Sequence, residues 1–428
     1  MMQTEILRLK DPCTGDVCCR ILHRSGLEIR VTEMPGFSTA YAQFAARFGS
    51  VDRRFRCGTD AAETELPAGI AHCLEHKLFE KEDGDIAVQF DALGAPSNAF
   101  TDFDRTVYHF HAQRHFYEAL EMLMRFVQTP YFTQENVDRE RGIIAQEILE
   151  FLDDPTDCCF HRMLGGLYQE LPLYPGVLGT AESIAAITPE LLTECHRLFY
   201  NLHNMVLCCA GNVSAERIIE AADRCLAPAP PFTVQKCRPQ EPEKPAKSFC
   251  TCTMPVGKTM FSLGFKSTPV SGAERLRESL LTSLTLDLLI GSAAPLYQRL
   301  LHEGLLGGTF DTDCFAGDGW FTAIAEGESD DPQAVLAAIC AERERLLTEG
   351  ADPVLFAALK KAAYGDSIIG MNHPEDACNA MTDAFIWECD SPFIRAELLA
   401  GLTESDVQHC LRARFRPENA CLSVIRPE

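Results

Sequence analysis

Two histidines and a glutamate in one short stretch have the best spacing for metal chemistry in this sequence. They are His72, Glu75 and His76, in the order His-x-x-Glu-His. On a helix, His72 and His76 are one turn apart on one face, so both imidazoles can reach a single metal ion. Glu75 leans toward the same place and could take a proton from a metal-activated water. Catalytic zinc typically has three protein ligands and one open position, so the third ligand must come from elsewhere.

The residues around this motif predict a packed helix over residues 67–80. Pro67 suits a helix start. Ile70, Leu74 and Leu78 form an apolar stripe beside the histidine face, which places the histidines near a buried boundary. The alternative is an amphipathic helix with two solvated histidines.

A long helix predicted over residues 133–152, with Thr133 as its N-cap, offers the third ligand. Glu140 and Glu147 are seven residues apart and share one of its faces. The pair could be a solvated stripe. However, the neighbouring isoleucines and leucine place Glu147 at a buried edge, where an unpaired charge is costly and a cation would resolve the cost. Glu147 is therefore the candidate third ligand, and Glu140 a residue that orients a ligand.

Alternating and periodic patterns predict the elements around these helices. Strands are expected at 27–31 and 41–48, a possible hairpin at 94–101 and 106–112, and helices at 86–93 and 116–127. His109 and His111 share one face of the second hairpin strand. They could form a metal pair, although exposed strand histidines are the favoured interpretation.

Composition bounds the class of protein. A chain of 428 residues predicts two or more domains, and a net charge of -24 argues against nucleic-acid binding. No apolar run approaches the length of a membrane span, and the N-terminal residues lack the apolar core of a secretory signal, so a cytoplasmic protein without membrane partners is expected. The 20 cysteines are scattered without a Cys-x-x-Cys pair, which indicates reduced, small apolar side chains.

A proline-rich stretch divides the chain. Residues 226–247 carry six prolines and no periodicity, so we expect a first domain at 1–226, a linker at 227–247 and a second domain at 248–428. A shift of 215 residues aligns 187–207 with 402–422, and Thr188, Cys195, Arg197, Asn204 and Leu207 meet identical residues. An offset of about half the chain indicates a duplicated domain. The second half has no His-x-x-Glu-His, so only the first half would bear metal.

These motifs together resemble the pitrilysin/insulinase-type zinc peptidases, whose His-x-x-Glu-His order is that of inverzincins. After His72-x-x-Glu75-His76, the chain matches in order at residues 97–101 (Ser-Asn-Ala-Phe-Thr), 139–148 (Arg-Glu-Arg-Gly-Ile-Ile-Ala-Gln-Glu-Ile), 153–155 (Asp-Asp-Pro) and 199–213. The likeness is dense over about residues 25–225 and weaker beyond.

The resemblance implies an α+β fold of two homologous tandem domains, each an antiparallel-rich sheet with helices packed on it, facing across a cleft. One zinc ion per chain would be bound by His72, His76 and Glu147, with Glu140 supporting the ligands. Glu75 would be the general base, passing the proton of water to the leaving amine of a peptide. Asn98, Ala99 and Phe100 would lie on an edge strand to which substrate peptide adds as an extra strand.

One departure from the family pattern concerns the second half. Active relatives usually carry an Arg and a Tyr, seven residues apart, where residues 300–308 read Leu-Leu-His-Glu-Gly-Leu-Leu-Gly-Gly. Arg299 is out of register, and His302 is the remaining cation candidate. We therefore expect a zinc endopeptidase that works as a dimer, favouring a related metal-free chain over a second copy. The alternative is a non-catalytic peptide-binding or assembly subunit, which would have no need of Glu75 as a base. A structural zinc site is a weaker alternative, because such sites normally close the fourth position.

Overall fold

The computed structural model describes residues 4–57, 62–232 and 234–428, which form two compact units. The first unit comprises the residues up to Ile148 together with Gly176–Cys237 and Ile368–Phe393. The second comprises Leu149–Pro175, Arg238–Ser367 and the residues from Ile394 onward.

Strands make up the sheets of both units and two small ribbons. In chain order they are β1 (Glu5–Lys10), β2 (Val17–Leu22), β3 (Glu28–Glu33), β4 (Ala40–Ala46), β5 (Arg54–Arg56), β6 (Thr64–Glu65), β7 (Glu80–Lys81), β8 (Gly84–Asp85), β9 (Ser97–Thr101), β10 (Thr106–Ala112), β11 (Met205–Gly211), β12 (Gln235–Lys236), β13 (Phe249–Met254), β14 (Met260–Lys266), β15 (Phe310–Gly317), β16 (Trp320–Glu328) and β17 (Ala420–Pro427).

Helices cover the sheets. In chain order they are α1 (Ile70–Phe79), α2 (Ile86–Ala92), α3 (Phe116–Gln128), α4 (Gln134–Asp153), α5 (Pro155–Leu167), α6 (Ala181–Ala185), α7 (Pro189–Phe199), α8 (Ala215–Cys225), α9 (Gly272–Ile290), α10 (Pro295–His302), α11 (Pro332–Glu349), α12 (Pro353–Gly370), α13 (Pro374–Ile386), α14 (Ile394–Gly401) and α15 (Glu404–Arg414). Short 3-10 turns at Leu202–Asn204 and Pro417–Asn419 precede β11 and β17.

The first unit is built on a seven-stranded sheet in the order β1-β2-β3-β11-β4-β10-β9. β11 runs parallel to β3 and antiparallel to β4, and β9 pairs antiparallel with β10 at the edge. Every residue of the central strands β4 and β11 is buried, because helices cover both faces of the sheet. This predominantly antiparallel sheet with packed helices confirms the α+β class for the first half of the chain.

The second unit repeats this topology in a five-stranded sheet, β13-β17-β14-β16-β15. β17 is parallel to β13 and antiparallel to β14, as β11 is to β3 and β4. The succession of α7, 3-10 turn and β11 recurs as α15, 3-10 turn and β17, with each element starting 215 residues later. Thr188 and Thr403 both cap their helices through the side-chain oxygen. The internal duplication expected from the sequence is therefore present in the fold.

Two segments lie in a different unit from the one in which the predicted domain boundaries place them. The main boundary, between Cys237 and Arg238, lies inside the predicted linker. However, α5 packs on β14 and β17 of the second sheet, while α13 packs on β4 and β11 of the first. The continuous domains 1–226 and 248–428 therefore miss an exchange of helices. Its physical basis is apolar packing, since Cys378 and Met381 of α13 are fully buried in the cluster that includes Val206 and Cys208.

The cysteines behave as small apolar side chains. All 20 are free thiols, and many lie in the cores. Cys208 and Cys209 are fully buried in separate apolar clusters, as alternation along β11 requires. Among the described residues, no single helix has the length and apolar character needed to cross a membrane, although the bent pair formed by α9 and α10 meets those criteria when taken together.

Candidate metal centre

Helix α1 positions the motif residues, and it starts at Ile70 rather than at the predicted Pro67. Its N-cap is Gly69, whose φ of 81° lies in the left-handed region. A Cβ at Gly69 would lie 2.3 Å from the carbonyl oxygen of Leu178, so both conformation and space require glycine there. This left-handed residue interrupts the helix before Pro67 can join it.

Three candidate ligands come together between α1 and α4. One ligand atom from each of His72, His76 and Glu147 lies within 4.8 Å of the others. The Nε2 atoms of His72 and His76 lie 3.8 Å and 3.9 Å from the two Glu147 carboxylate oxygens. Both imidazoles lie at a buried boundary, since their side chains are 12% and 23% exposed. The arrangement differs from the solvated pair that the motif alone allowed.

Glu140 holds one of these imidazoles from behind. Its Oε1 lies 3.0 Å from Nδ1 of His76, and its Oε2 accepts a hydrogen bond of 3.4 Å from Nζ of Lys77. The fully buried Lys77 also pairs with Glu80. Because Nδ1 of His76 is engaged by a carboxylate, its Nε2 is left to face Glu147. The structure thus places Glu140 beside a candidate ligand, as expected from the sequence.

Glu75 is held on the same helix by the neighbouring edge strand. Its side chain is buried, with 6% of the residue exposed. The hydroxyl of Thr101, the last residue of β9, donates a 2.6 Å hydrogen bond to Oε2 of Glu75. The buried carboxylate therefore has one oxygen engaged by a strand residue, beside the three candidate ligands.

The local electrostatics suit a metal centre. Burial, with the nearby charge of His76, lowers the pKa of His72 to about 3, so this imidazole is neutral and able to bind a metal. Burial also lowers the pKa of His76, but the Glu140 hydrogen bond and the nearby carboxylates outweigh it and raise the pKa overall. Burial raises the pKa of Glu75, against the opposing Thr101 hydrogen bond. A raised pKa brings a carboxylate nearer to the range useful for a general base.

The donor set fits zinc. Two imidazole nitrogens and one carboxylate oxygen are the ligands of a common catalytic zinc site. The buried Nδ1 of His72 makes no hydrogen bond with any described residue, so the burial of this imidazole is not explained by a hydrogen bond at Nδ1, and its Nε2 faces Glu147. Of the residues described, only these three form a group of histidine, cysteine and acidic side chains close enough to hold a metal ion. His109, by contrast, lies 2.7 Å from the hydroxyl of Tyr41 and outside the group.

A cavity of about 810 Å³ opens beside these residues. Its lining includes Glu75 and His76 from α1, Ser97 and Asn98 from β9, and Glu140 from α4. The side chains of Asn98 and Phe100 are exposed, and the strand that carries them has β10 as its partner on one side. β9 is therefore the edge strand expected from the sequence, and it borders the cavity.

Sequence reasoning assembled most of this site but missed two of its members. The sequence gives Thr101 no role of its own, although its place at the end of a short strand that follows a glycine-proline break is the available signal. Lys77 carried no signal, because a lysine on a helix is usually solvated. Its complete burial follows from two carboxylates, Glu80 and Glu140, that approach it from different elements.

Comparisons with known proteins identify the family of this chain. Residues 55–181 match the family described as Insulinase (Peptidase family M16), and residues 186–363 match the Peptidase M16 inactive domain. A Bacillus subtilis protein called uncharacterized zinc protease YmfH is 32% identical over 412 residues, covering 94% of this chain and 95% of that protein. An uncharacterized zinc protease of Rickettsia bellii is 26% identical and covers 82% and 86%.

A solved structure gives the same answer for the fold. The crystal structure of an M16-like peptidase from Alicyclobacillus acidocaldarius is 28% identical and has a TM-score of 0.92, covering 100% of this chain and 99% of that one. This protein therefore belongs to the M16, or pitrilysin/insulinase-type, peptidase family. All the candidate metal and base residues fall inside the Insulinase match.

Proposed function

We propose that this protein is a zinc-dependent endopeptidase that hydrolyses peptides or unfolded segments of proteins. The observation that carries the proposal is the convergence of His72, His76 and Glu147 within 4.8 Å, beside the buried carboxylate of Glu75. A binding or assembly subunit would gain nothing from a buried carboxylate at that position, where its desolvation is costly. Membership of the M16 family and relatives named zinc proteases support the same activity.

His72, His76 and Glu147 would hold one zinc ion per chain. When bound there, zinc would supply Lewis-acid chemistry, lowering the pKa of a water molecule to about 7 and polarising a carbonyl group. Glu140 keeps the His76 ring in place through Nδ1, which fixes the tautomer that presents Nε2.

Glu75 would act as the general base and then as the general acid. Its Oε2 accepts the hydrogen bond from Thr101, which leaves Oε1 to take a proton from the attacking water. The same carboxylate would return that proton to the amine that leaves when the peptide bond breaks. Its burial excludes bulk water, which would compete for the proton.

The edge strand β9 would bind the substrate backbone. A peptide that adds alongside Asn98, Ala99 and Phe100 gains main-chain hydrogen bonds that do not depend on its sequence. In the free strand the Asn98 side chain accepts a 2.9 Å hydrogen bond from the backbone N–H of Ala99. An incoming carbonyl would replace that side chain, and broad sequence tolerance would result.

We further propose a dimer, favouring a related metal-free chain as the partner, and a cytoplasmic location. The second-half segment at 299–308 supports the first idea, because it lacks the Arg and Tyr that active relatives usually provide. Arg299 and His302 are exposed on α10. The twenty free thiols support a reducing compartment.

The test combines metal analysis with turnover. We expect one zinc per chain in the purified protein and cleavage of a quenched mixed-peptide library that a chelator abolishes. Glu75→Gln should keep zinc and peptide binding but lose turnover, while Glu135→Gln, at an exposed glutamate of α4, should match the wild type. Unchanged turnover in Glu75→Gln would refute the mechanism. Zinc without cleavage would favour the peptide-binding alternative unless a related chain restores activity.

A further inference from the structure

We propose that Thr101 is a positioning residue that fixes the Glu75 carboxylate and links its orientation to the occupation of strand β9. The proposal rests on the zinc-peptidase function proposed above and deepens it. It assigns a role to a residue that lies outside the ligand set and outside the peptide-contacting positions 98–100.

The geometry places Thr101 between the substrate strand and the base. Thr101 is the last residue of β9, and its hydroxyl donates a 2.6 Å hydrogen bond to Oε2 of Glu75 on α1. The Glu75 side chain is long and would otherwise have freedom about its outer torsions. A short hydrogen bond to one oxygen limits the rotation of the carboxylate and so restricts the directions open to the other oxygen.

A second threonine commits the Thr101 proton to this contact. Thr106 lies directly opposite Thr101 across the β9–β10 ladder, and the two hydroxyl oxygens are 3.4 Å apart. Thr106 donates its single hydroxyl proton to the backbone oxygen of Phe48 at 2.8 Å. It has no proton left to donate to Thr101, and its oxygen is a more distant acceptor than Glu75. The Thr106 proton is therefore committed to Phe48, and the Thr101 proton is committed to the nearer acceptor, Glu75.

This arrangement links peptide binding to the base. Residues Asn98–Phe100 are the ones beside which a substrate strand would pair, and Thr101 continues the same strand. Pairing with a peptide would restrict β9, and the Thr101 hydroxyl would transmit that restriction to Glu75. The consequence is an effect on the chemical step rather than on peptide affinity, because the Thr101 side chain points to the helix and not to the peptide.

The experiment compares Thr101→Val, which removes the hydroxyl while keeping the shape, with Thr101→Ser, which keeps the hydroxyl. We expect Thr101→Val to lower kcat by about 10- to 100-fold, as for a misplaced catalytic group, with KM within about twofold of wild type. Thr101→Ser should recover kcat to within about threefold. Thr251→Val, the same change at an exposed position of edge strand β13, should leave turnover unchanged.

Readouts other than turnover separate positioning from a structural role. Zinc content of Thr101→Val should match the wild type, and its melting temperature should fall by only a few degrees, because a single hydrogen bond to a buried carboxylate is lost. In a Glu75→Gln background, adding Thr101→Val should leave the Kd of a bound peptide unchanged. In a Glu75→Ala background it should not slow the residual rate further, because a group that acts through Glu75 has no effect once Glu75 is gone.

The outcomes distinguish a failure of the positioning role of Thr101 from a failure of the proposed zinc-peptidase function. Wild-type protein without metal-dependent cleavage would overturn the peptidase function, and the positioning role with it. An active wild type with full kcat in Thr101→Val, or with Thr101→Ser as impaired as Thr101→Val, would overturn the positioning role alone. A further loss of rate in the Glu75→Ala background would likewise overturn it.

Discussion

Removing the carboxylate of Glu140 should weaken metal binding without removing a ligand. Its Oε1 lies 3.0 Å from Nδ1 of His76, and its side chain is 10% exposed, so the interaction is poorly screened by water. Glu140→Ala takes away the acceptor that fixes the His76 ring and its tautomer. Glu140→Gln keeps an acceptor of similar shape but removes the charge.

The magnitude follows from the kind of hydrogen bond lost. A hydrogen bond to a charged group contributes about 1.5–3 kcal/mol and a neutral one about 0.5–1.5 kcal/mol. The Ala variant loses the whole contribution, so zinc affinity should fall by about 10- to 100-fold, as for other residues that support metal ligands. The Gln variant loses only the difference of about 1–1.5 kcal/mol, so its affinity should fall by about tenfold.

The assay is competition for zinc with a chromophoric chelator at pH 7.5, with folding checked by melting temperature. Glu135→Gln, an exposed glutamate on the same helix, is the matched control and should bind zinc as the wild type does. The Ala variant also leaves the buried Lys77 with Glu80 as its carboxylate partner, so a lower melting temperature is expected. Zinc affinity within twofold of wild type in Glu140→Ala would refute the reasoning.

Two further predictions concern stability. Burial lowers the pKa of His196, whose Nε2 lies 2.9 Å from the carbonyl oxygen of Val127, to about 4 from 6.5. As pH falls, His196 is therefore protonated in the unfolded chain at a higher pH than in the folded protein. Between about pH 6.5 and about pH 4 this difference lowers the free energy of unfolding. The free energy of unfolding of the metal-free protein can be measured in urea at pH 7 and at pH 5. From pH 7 to pH 5 it should fall by about 2 kcal/mol less in His196→Gln than in the wild type, and equal decreases would contradict this assignment. Glu241, in the second unit, accepts hydrogen bonds from Lys266 and from the backbone N–H groups of residues 169–171. Since Lys266 is 3% exposed, Glu241→Ala should lower the free energy of unfolding by about 3–5 kcal/mol, whereas Glu243→Ala, at a mainly exposed ion pair, should change it by less than about 1 kcal/mol. Similar effects of the two substitutions would refute the role given to Glu241.

The sequence predicted the parts of the site that depend on helical periodicity within one element. The spacing of His72 and His76 and the seven-residue interval from Glu140 to Glu147 are properties of single helices, and the structure places these faces together. Strand β9 followed from a glycine-proline break and a short extended run. Each of these predictions depends only on residues within one helix or strand, so it does not require knowledge of how distant segments pack.

Contacts between distant segments left no such signal. The hydrogen bond from Thr101 to Glu75 depends on how a strand end meets a helix. Glu241 lies in a stretch without periodicity, yet it is held by three backbone N–H groups and a lysine. The apolar face of α13 indicates burial but does not say which of two similar sheets it covers. Duplication makes this ambiguity worse, because both sheets present comparable apolar faces.

The exchange of α13 also sets the order in which the chain can finish folding during synthesis. One face of the first sheet, with Tyr41, Val206 and Cys208, is covered by Met381 and its neighbours. When β11 leaves the ribosome, those residues have yet to be made. At translation rates of about 5–20 residues per second, that face stays exposed for on the order of ten seconds before α13 is synthesised. A nascent chain with such an exposed apolar sheet would be expected to bind chaperones. A stall in translation before α13 would yield an incomplete protein that aggregates through this face.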